Sequence, residues 1–201
     1  MTIIRLLLSL ASIYNWSWKQ LDINNAFLHG ELKEDIYTVA PPGLTSIPLG
    51  QVWKLEKVLY SLKQAIREWF AKLSSFFIST GYTKSMNDYS LFINSSEGSF
   101  TTLLVYMDDI ILVGNDKEEI EWVKEALNKT FKIKDLGDLR YFLGFEVTRS
   151  KKGIMMNERK YALKLLIDAG PLACKPAVTP IDNLVKLSST RSVPFTDVHA
   201  L

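Results

Sequence analysis

The chain has 201 residues, 47% of them hydrophobic and 23% charged, with a net charge of +2; it is long enough for one sizeable core and too apolar to be a disordered segment. Its single cysteine, Cys174, excludes an internal disulfide, and the two distant histidines, His29 and His199, exclude a Cys/His zinc cluster. The near-balanced charge neither announces nor excludes a nucleic-acid partner, because basic grooves can be offset by an acidic metal site.

Residues 1–13 loosely resemble a signal peptide, with Arg5 before an apolar run. They read better as an amphipathic helix over residues 3–14, with Ile3, Leu7, Leu10 and Tyr14 at helical spacing. No run approaches the roughly 20 apolar residues of a membrane span. The chain is therefore expected to be intracellular, cytoplasmic or nuclear, with no membrane partner.

Residues 18–23 read as a strand, 24–30 as a turn-like stretch, and 52–55 as a short strand after a Pro- and Gly-rich loop. A 3.6-residue stripe from Val58 to Phe77 predicts a helix over 58–79, stopped by Gly81 and carrying Lys63 and Arg67 on a shared face. Strands follow at 89–93 and within 100–113, with 94–99 as the turn between them. Asp116 opens a second helix with Glu119 as capping-box partner, its inner face being Ile120, Val123, Ala126 and Leu127. Residues 131–133 and 141–148 read as strands, 151–153 as a turn, 154–156 as a strand, and 158–169 as a last helix ended by Gly170 and Pro171. The tail 183–201 reads as unstructured. The pattern predicts an α+β domain over 1–182, an antiparallel sheet with helices packed on one face.

The chemistry concentrates in three segments. Asp108 and Asp109 lie between two apolar runs, Leu103–Met107 and Ile110–Val113, and so read as an acidic hairpin link at the rim of a core. Two carboxylates so close repel, and a divalent cation such as magnesium removes the conflict. A bare Asp-Asp pair is commonly a plain surface turn; the apolar flanks and the preceding Tyr106 raise it above that. Asp22 closes a strand and offers a second rigid mount, although alone it reads as a turn residue, and Phe27 alone reads as core. Lys63, Gln64 and Arg67 could meet phosphate, where the bland alternative is a solvated helix face.

Taken in order, QLDINNAFLHGEL (20–32), LYSLKQAIREWF (59–70), LLVYMDDIILVGND (103–116), FKIKDLGDLRYFLGFEV (131–147), KYALKLLIDAG (160–170) and CKPAVTP (174–180) resemble copia-type retrotransposon reverse transcriptases over nearly the whole chain. The resemblance implies a polymerase palm and RNA-directed DNA synthesis by two Mg²⁺ ions, with Mn²⁺ as a possible substitute. It implies Asp22, Asp108 and Asp109 as catalytic metal ligands. Phe27 then resembles the aromatic that rejects a 2′-hydroxyl, while Tyr60, Ser61, Lys63 and Gln64 fall where the incoming nucleotide is met. Arg67, Tyr106, Met107, Leu143 and Gly144 fall where template and primer are met, the last two in the segment that grips the primer. Implied partners are an RNA or DNA template with a DNA primer, deoxynucleoside triphosphates and other Pol modules. The family usually has Gly in place of Ser61 and Pro in place of Ile66; Ile66 is expected to let a helix run on where Pro would interrupt it. The family's fingers region precedes residue 3, so the triphosphate-holding residues are expected to be missing and activity impaired. The alternative is a non-catalytic remnant that binds nucleic acid weakly; a nuclease or a pure interaction module leaves the acidic set less well explained.

Overall fold

A computed structural model of the chain describes residues 2–39, 52–60, 62–150 and 153–170. Ser61 and the expected tail 183–201 lie outside the described residues. The chain divides into two units, Met1–Lys160 and Tyr161–Leu201.

In chain order the elements are α1 (Thr2–Ile13), β1 (Ser17–Ile23), a 3-10 turn (Ala26–His29), β2 (Tyr37–Val39), β3 (Val52–Lys54), α2 (Ala65–Ser79), β4 (Thr83–Lys84), β5 (Leu91–Ser96), β6 (Ser99–Tyr106), β7 (Asp109–Gly114), α3 (Lys117–Phe131), β8 (Ile133–Asp135), β9 (Tyr141–Phe142), β10 (Phe145–Ser150), β11 (Gly153–Asn157) and α4 (Arg159–Asp168). Six strands form an antiparallel sheet in the order β4-β5-β6-β7-β1-β8, and β11-β10-β9 and β2-β3 form two smaller sheets.

Alternation along the strands sends side chains to two separate cores. Leu21, Ile23, Leu103, Val105, Ile110 and Leu112 face α2 and α3, where Trp69, Leu73, Phe77, Ile120, Val123, Leu127 and Phe131 complete one core. Trp18, Leu104, Ile111 and Val113 face the other way and meet Ile4, Leu7, Leu8 and Ala11 of α1 with Phe142 and Val147. The expectation of helices on one face is thereby corrected: α1 and the β9–β11 sheet cover the second face. The α1 stripe is also rotated. Ile4, Leu7, Leu8 and Ala11 are buried, whereas Tyr14 is exposed, because the helix packs on a wide sheet surface rather than along a narrow seam.

Other boundaries shift for local reasons. The first residue of α2 is Ala65, not 58: Val58 is buried from a loop whose neighbour Lys57 bridges to Glu31, so an apolar stripe continued through a non-helical segment. Lys63 precedes the helix and does not share a helix face with Arg67. The turn between β5 and β6 is only Glu97–Gly98, since Ser96 pairs with Ser99. Phe131 ends α3 rather than opening a strand, and Lys132 follows it in the left-handed region at φ 58°. Asp116 caps α3 by accepting from the amides of Glu118 and Glu119. The reciprocal arm of the expected capping box is absent, because the Glu119 carboxylate instead accepts from the Tyr82 hydroxyl at 2.9 Å and from Asn94 at 3.2 Å.

Candidate active site

β1 is a central strand, hydrogen-bonded to β7 on one side and β8 on the other. Its alternation puts Trp18, Gln20 and Asp22 on the second face, and the register sets Asp22 directly opposite Asp109 at the end of the β1–β7 ladder. Tyr106 pairs with Asp109 from the other side. The acidic link is one residue earlier than the sequence suggested: the two-residue loop is Met107–Asp108, and Asp109 already belongs to β7.

Met107 takes φ 55°, the positive first position that a type II′ hairpin turn requires and that a side chain normally resists. Two bonds hold it there. The Trp69 indole donates to the Met107 carbonyl at 2.8 Å, and the Ile23 amide donates to the Asp108 carbonyl at 2.9 Å. The first ties the loop to α2, the second to β1.

The carboxylates feel one another. Burial, and then the charge of Asp108, raises Asp22 above the ordinary carboxylate value, with Lys134 acting against the shift. Burial also raises Asp109, with Asp108 and Asp22 adding to it, while Gln20 opposes through a long bond of 3.4 Å to its Oδ1. Burial and the charges of Asp108 and Asp22 likewise push the Tyr60 hydroxyl up, which places that phenol in the same electrostatic neighbourhood. Its ring lies 4.6 Å from Phe27, tilted by 57°. Phe27 is only 6% exposed and Tyr60 53%, so Tyr60 forms the surface and Phe27 its support.

The structure thus gathers Asp22, Asp108, Asp109, Phe27, Tyr60 and Tyr106. Leu143 and Gly144, read as part of one strand, form a two-residue turn between β9 and β10 with φ 49° and 87°. Both central residues are positive, as in a type I′ hairpin. Phe142 before this turn meets Tyr106 at 6.3 Å, and a groove of about 650 Å³ runs between Tyr106 and Leu143. The basic set is less involved. Gln64 reaches Glu34 at 3.3 Å and Arg67 reaches Glu68 at 3.3 Å, while Lys63 is exposed.

Two supporting residues were not singled out from sequence. Gln20 follows from the two-residue period that puts it beside Asp22. Trp69 stood only as an apolar stripe position, although a buried indole N–H needs an acceptor and here finds one in the loop.

A family model described as reverse transcriptase (RNA-dependent DNA polymerase) matches residues 1–183. The chain belongs to the reverse transcriptase family. It is 39% identical over 98% of its length to the Retrovirus-related Pol polyprotein from transposon RE1 of Arabidopsis thaliana, and 39% identical over 94% to that from transposon TNT 1-94 of Nicotiana tabacum. The Putative transposon Ty5-1 protein YCL074W of Saccharomyces cerevisiae is 28% identical over 89% of the chain. The chain spans 13% and 14% of the two plant polyproteins. It is a reverse transcriptase domain of copia type, by family an RNA-directed DNA polymerase. No helix among its described residues is long and apolar enough to cross a membrane.

Among the described residues no three Asp, Glu, His or Cys side chains stand ready-made as a metal cage. The donor chemistry nonetheless fits a hard divalent cation: the site offers carboxylate oxygens, and two of the three acids are held above their ordinary values by burial and mutual repulsion, which a cation relieves.

Proposed function

We propose that the domain is a polymerase palm that extends a DNA primer on an RNA or DNA template at the edge where Asp22, Asp108 and Asp109 meet. The observation that carries this reading is the direct pairing of Asp22 with Asp109, with Asp108 in the adjoining loop. Two Mg²⁺ ions, or Mn²⁺ in their place, would be held by these three carboxylates and would supply the charge that activates a primer 3′-hydroxyl and balances the departing pyrophosphate. The chain's own contribution is positioning. The tilted Phe27–Tyr60 pair forms a wall against the sugar of the incoming deoxynucleoside triphosphate, where a 2′-hydroxyl would crowd the ring. The Leu143–Gly144 turn, beside Tyr106 and Met107, offers backbone to the primer end. Lys63 supplies a cationic donor toward template or nucleotide phosphate, joined by Gln64 and Arg67 once these are released from Glu34 and Glu68. Ser61 adjoins Tyr60 in the nucleotide-contacting segment. The other Pol modules are its proposed partners in a longer polyprotein.

Calorimetric titration with Mn²⁺ tests the carboxylate site. Micromolar-to-millimolar binding lost in Asp108→Asn plus Asp109→Asn is expected; binding indifferent to both substitutions refutes the site. A second reading, a folded domain that binds nucleic acid without chemistry, is favoured by the pairing of Gln64 and Arg67 with acids. Primer extension with Mg²⁺ and with Mn²⁺ separates the two.

A further inference from the structure

The outer face of α3 carries charge and an aromatic ring that no described residue answers. Ile120, Val123, Leu127 and Phe131 turn inward and are buried. On the opposite side Glu118, Trp122, Glu125 and Lys129 follow one another at steps of four, three and four residues, so they form one exposed row along the helix. Trp122 is 47% exposed, and among the described residues its ring has no aromatic partner and its indole N–H no acceptor. Glu125 and Lys129 have the spacing and order of an ion pair within a helix, yet among the described residues neither they nor Glu118 takes part in one. Lys124, off the row, shows the contrast: it is engaged by Glu121 at 2.8 Å and by Asp135 at 2.6 Å. The row is thus acidic at its start, aromatic in the middle and basic at its end, with its charges free.

Such a row is complementary to itself when reversed. Two α3 helices laid antiparallel about a two-fold axis between Val123 and Lys124 set Glu118 of each against Lys129 of the other, and Trp122 of each against Glu125 of the other. At about 1.5 Å of rise per residue the two indoles then lie about 4.5 Å apart along the helix direction, close enough to pack on one another. In a parallel pairing like charges would meet like. A row that matches its own reverse is what an isologous contact requires, since every residue serves both halves. We propose that this face of α3 docks a second copy of the chain in the antiparallel register. The contact is one helix wide and falls below the roughly 800 Å² per partner of a long-lived interface, so the dimer is weak and forms where copies are concentrated. It uses none of the carboxylates at the sheet edge and stands apart from the polymerase reading.

The test is sedimentation equilibrium of the whole chain at low salt, where exposed ion pairs are least screened. The mean mass should rise toward twice that of the chain between about 10 µM and 1 mM protein. Glu118→Lys alone sets lysine against Lys129 of the second copy, and Lys129→Glu alone sets glutamate against Glu118; each should weaken association at least fivefold. An equimolar mixture of these two variants pairs opposite charges at both ends of the row and should restore association to within twofold of the unaltered chain, as should both substitutions carried in one chain. Trp122→Gln should weaken association at least fivefold. Glu97→Lys and Lys57→Glu make the same charge changes at exposed positions off α3, and each should alter association less than twofold. The restoring mixture keeps the test sound, since misfolded chains would not regain a specific partner on mixing. A chain that stays monomeric throughout the range would overturn the proposal, and so would association undiminished in Glu118→Lys and Lys129→Glu. Undiminished association of Trp122→Gln, equal losses in the two controls, or a mixture as weak as its separate components would overturn it too.

Discussion

Asp22 and Asp109 are held above the ordinary carboxylate value first by burial and then by neighbouring carboxylates. The folded chain therefore retains protons on them at pH values where the unfolded chain has released them. Their contribution to stability falls as pH rises from about 4 through the folded values, and acidification restores it. Asp22→Asn and Asp109→Asn should each raise Tm of the metal-free protein at pH 7 and do little at pH 3; thermal melts showing the same gain at both pH values would count against mutual repulsion. Trp69 has the opposite character, since its indole N–H stabilises a strained loop. Trp69→Phe keeps most of the packing against Phe131 and removes the donor, so it should cost about 1–2 kcal/mol. Hydrogen exchange at the amides of Met107 and Asp108 should accelerate more than in β5. Uniform acceleration across the sheet would mean that Trp69 acts by packing alone.

At the scale of the element, the two hairpins that approach the site are both built with side chains where glycine or asparagine would be easier. Leu143 occupies the first left-handed position of the β9–β10 turn, so Leu143→Asn should stabilise the hairpin by about 0.5–1 kcal/mol, read as a higher denaturant midpoint. An unchanged midpoint would imply that the leucine side chain repays its backbone strain through contacts. Ile66 illustrates a boundary that changes an argument. It is the second residue of α2, in the first turn where amides have no intrahelical acceptor, and so Pro there is compatible with the helix rather than a break in it. Ile66→Pro should shift Tm by little, and a loss of several degrees would show that this amide is needed. The elements themselves were legible because alternation and 3.6-residue spacing survive wherever one face is buried. Their ends were less so. Val58 and Leu62 are apolar because loops bury them, and the β9–β10 turn carries a Leu that announces no turn. The Asp108–Asp109 link could be read from sequence because its flanks are apolar, whereas Asp22 alone read as a turn residue and joined the pair only by resemblance. The Phe27–Tyr60 pair could be read only by resemblance, and the Trp69 tie could not be read at all, since it depends on a contact between segments 38 residues apart.

For the molecule as a whole, the site lies between two cores rather than on top of one. Leu21 and Ile23 flank Asp22 in the first core, while Trp18 on the same strand belongs to the second. A ligand at the carboxylates should therefore stabilise the entire unit. Mn²⁺ at a hundredfold excess over its Kd should add about 2.7 kcal/mol, several degrees in Tm for a chain of this size, and none in Asp108→Asn plus Asp109→Asn. A metal-induced shift of the same size in that variant would place the ion elsewhere. Sheet order has a further consequence, in time rather than in space. β1 is synthesised before β7 and β8 but sits between them, and Gln20 and Asp109 are 89 residues apart in the chain. At about 5–20 residues per second of synthesis, β1 waits on the order of 5–20 s with both edges unpaired, the state in which strands are most open to mispairing. The carboxylate edge is then among the last parts of the sheet to close. Nascent chains stalled before Asp109 emerges should leave residues 17–23 open to protease, and chains stalled well beyond Asp135 should protect them; early protection would show that another segment shelters the strand during synthesis.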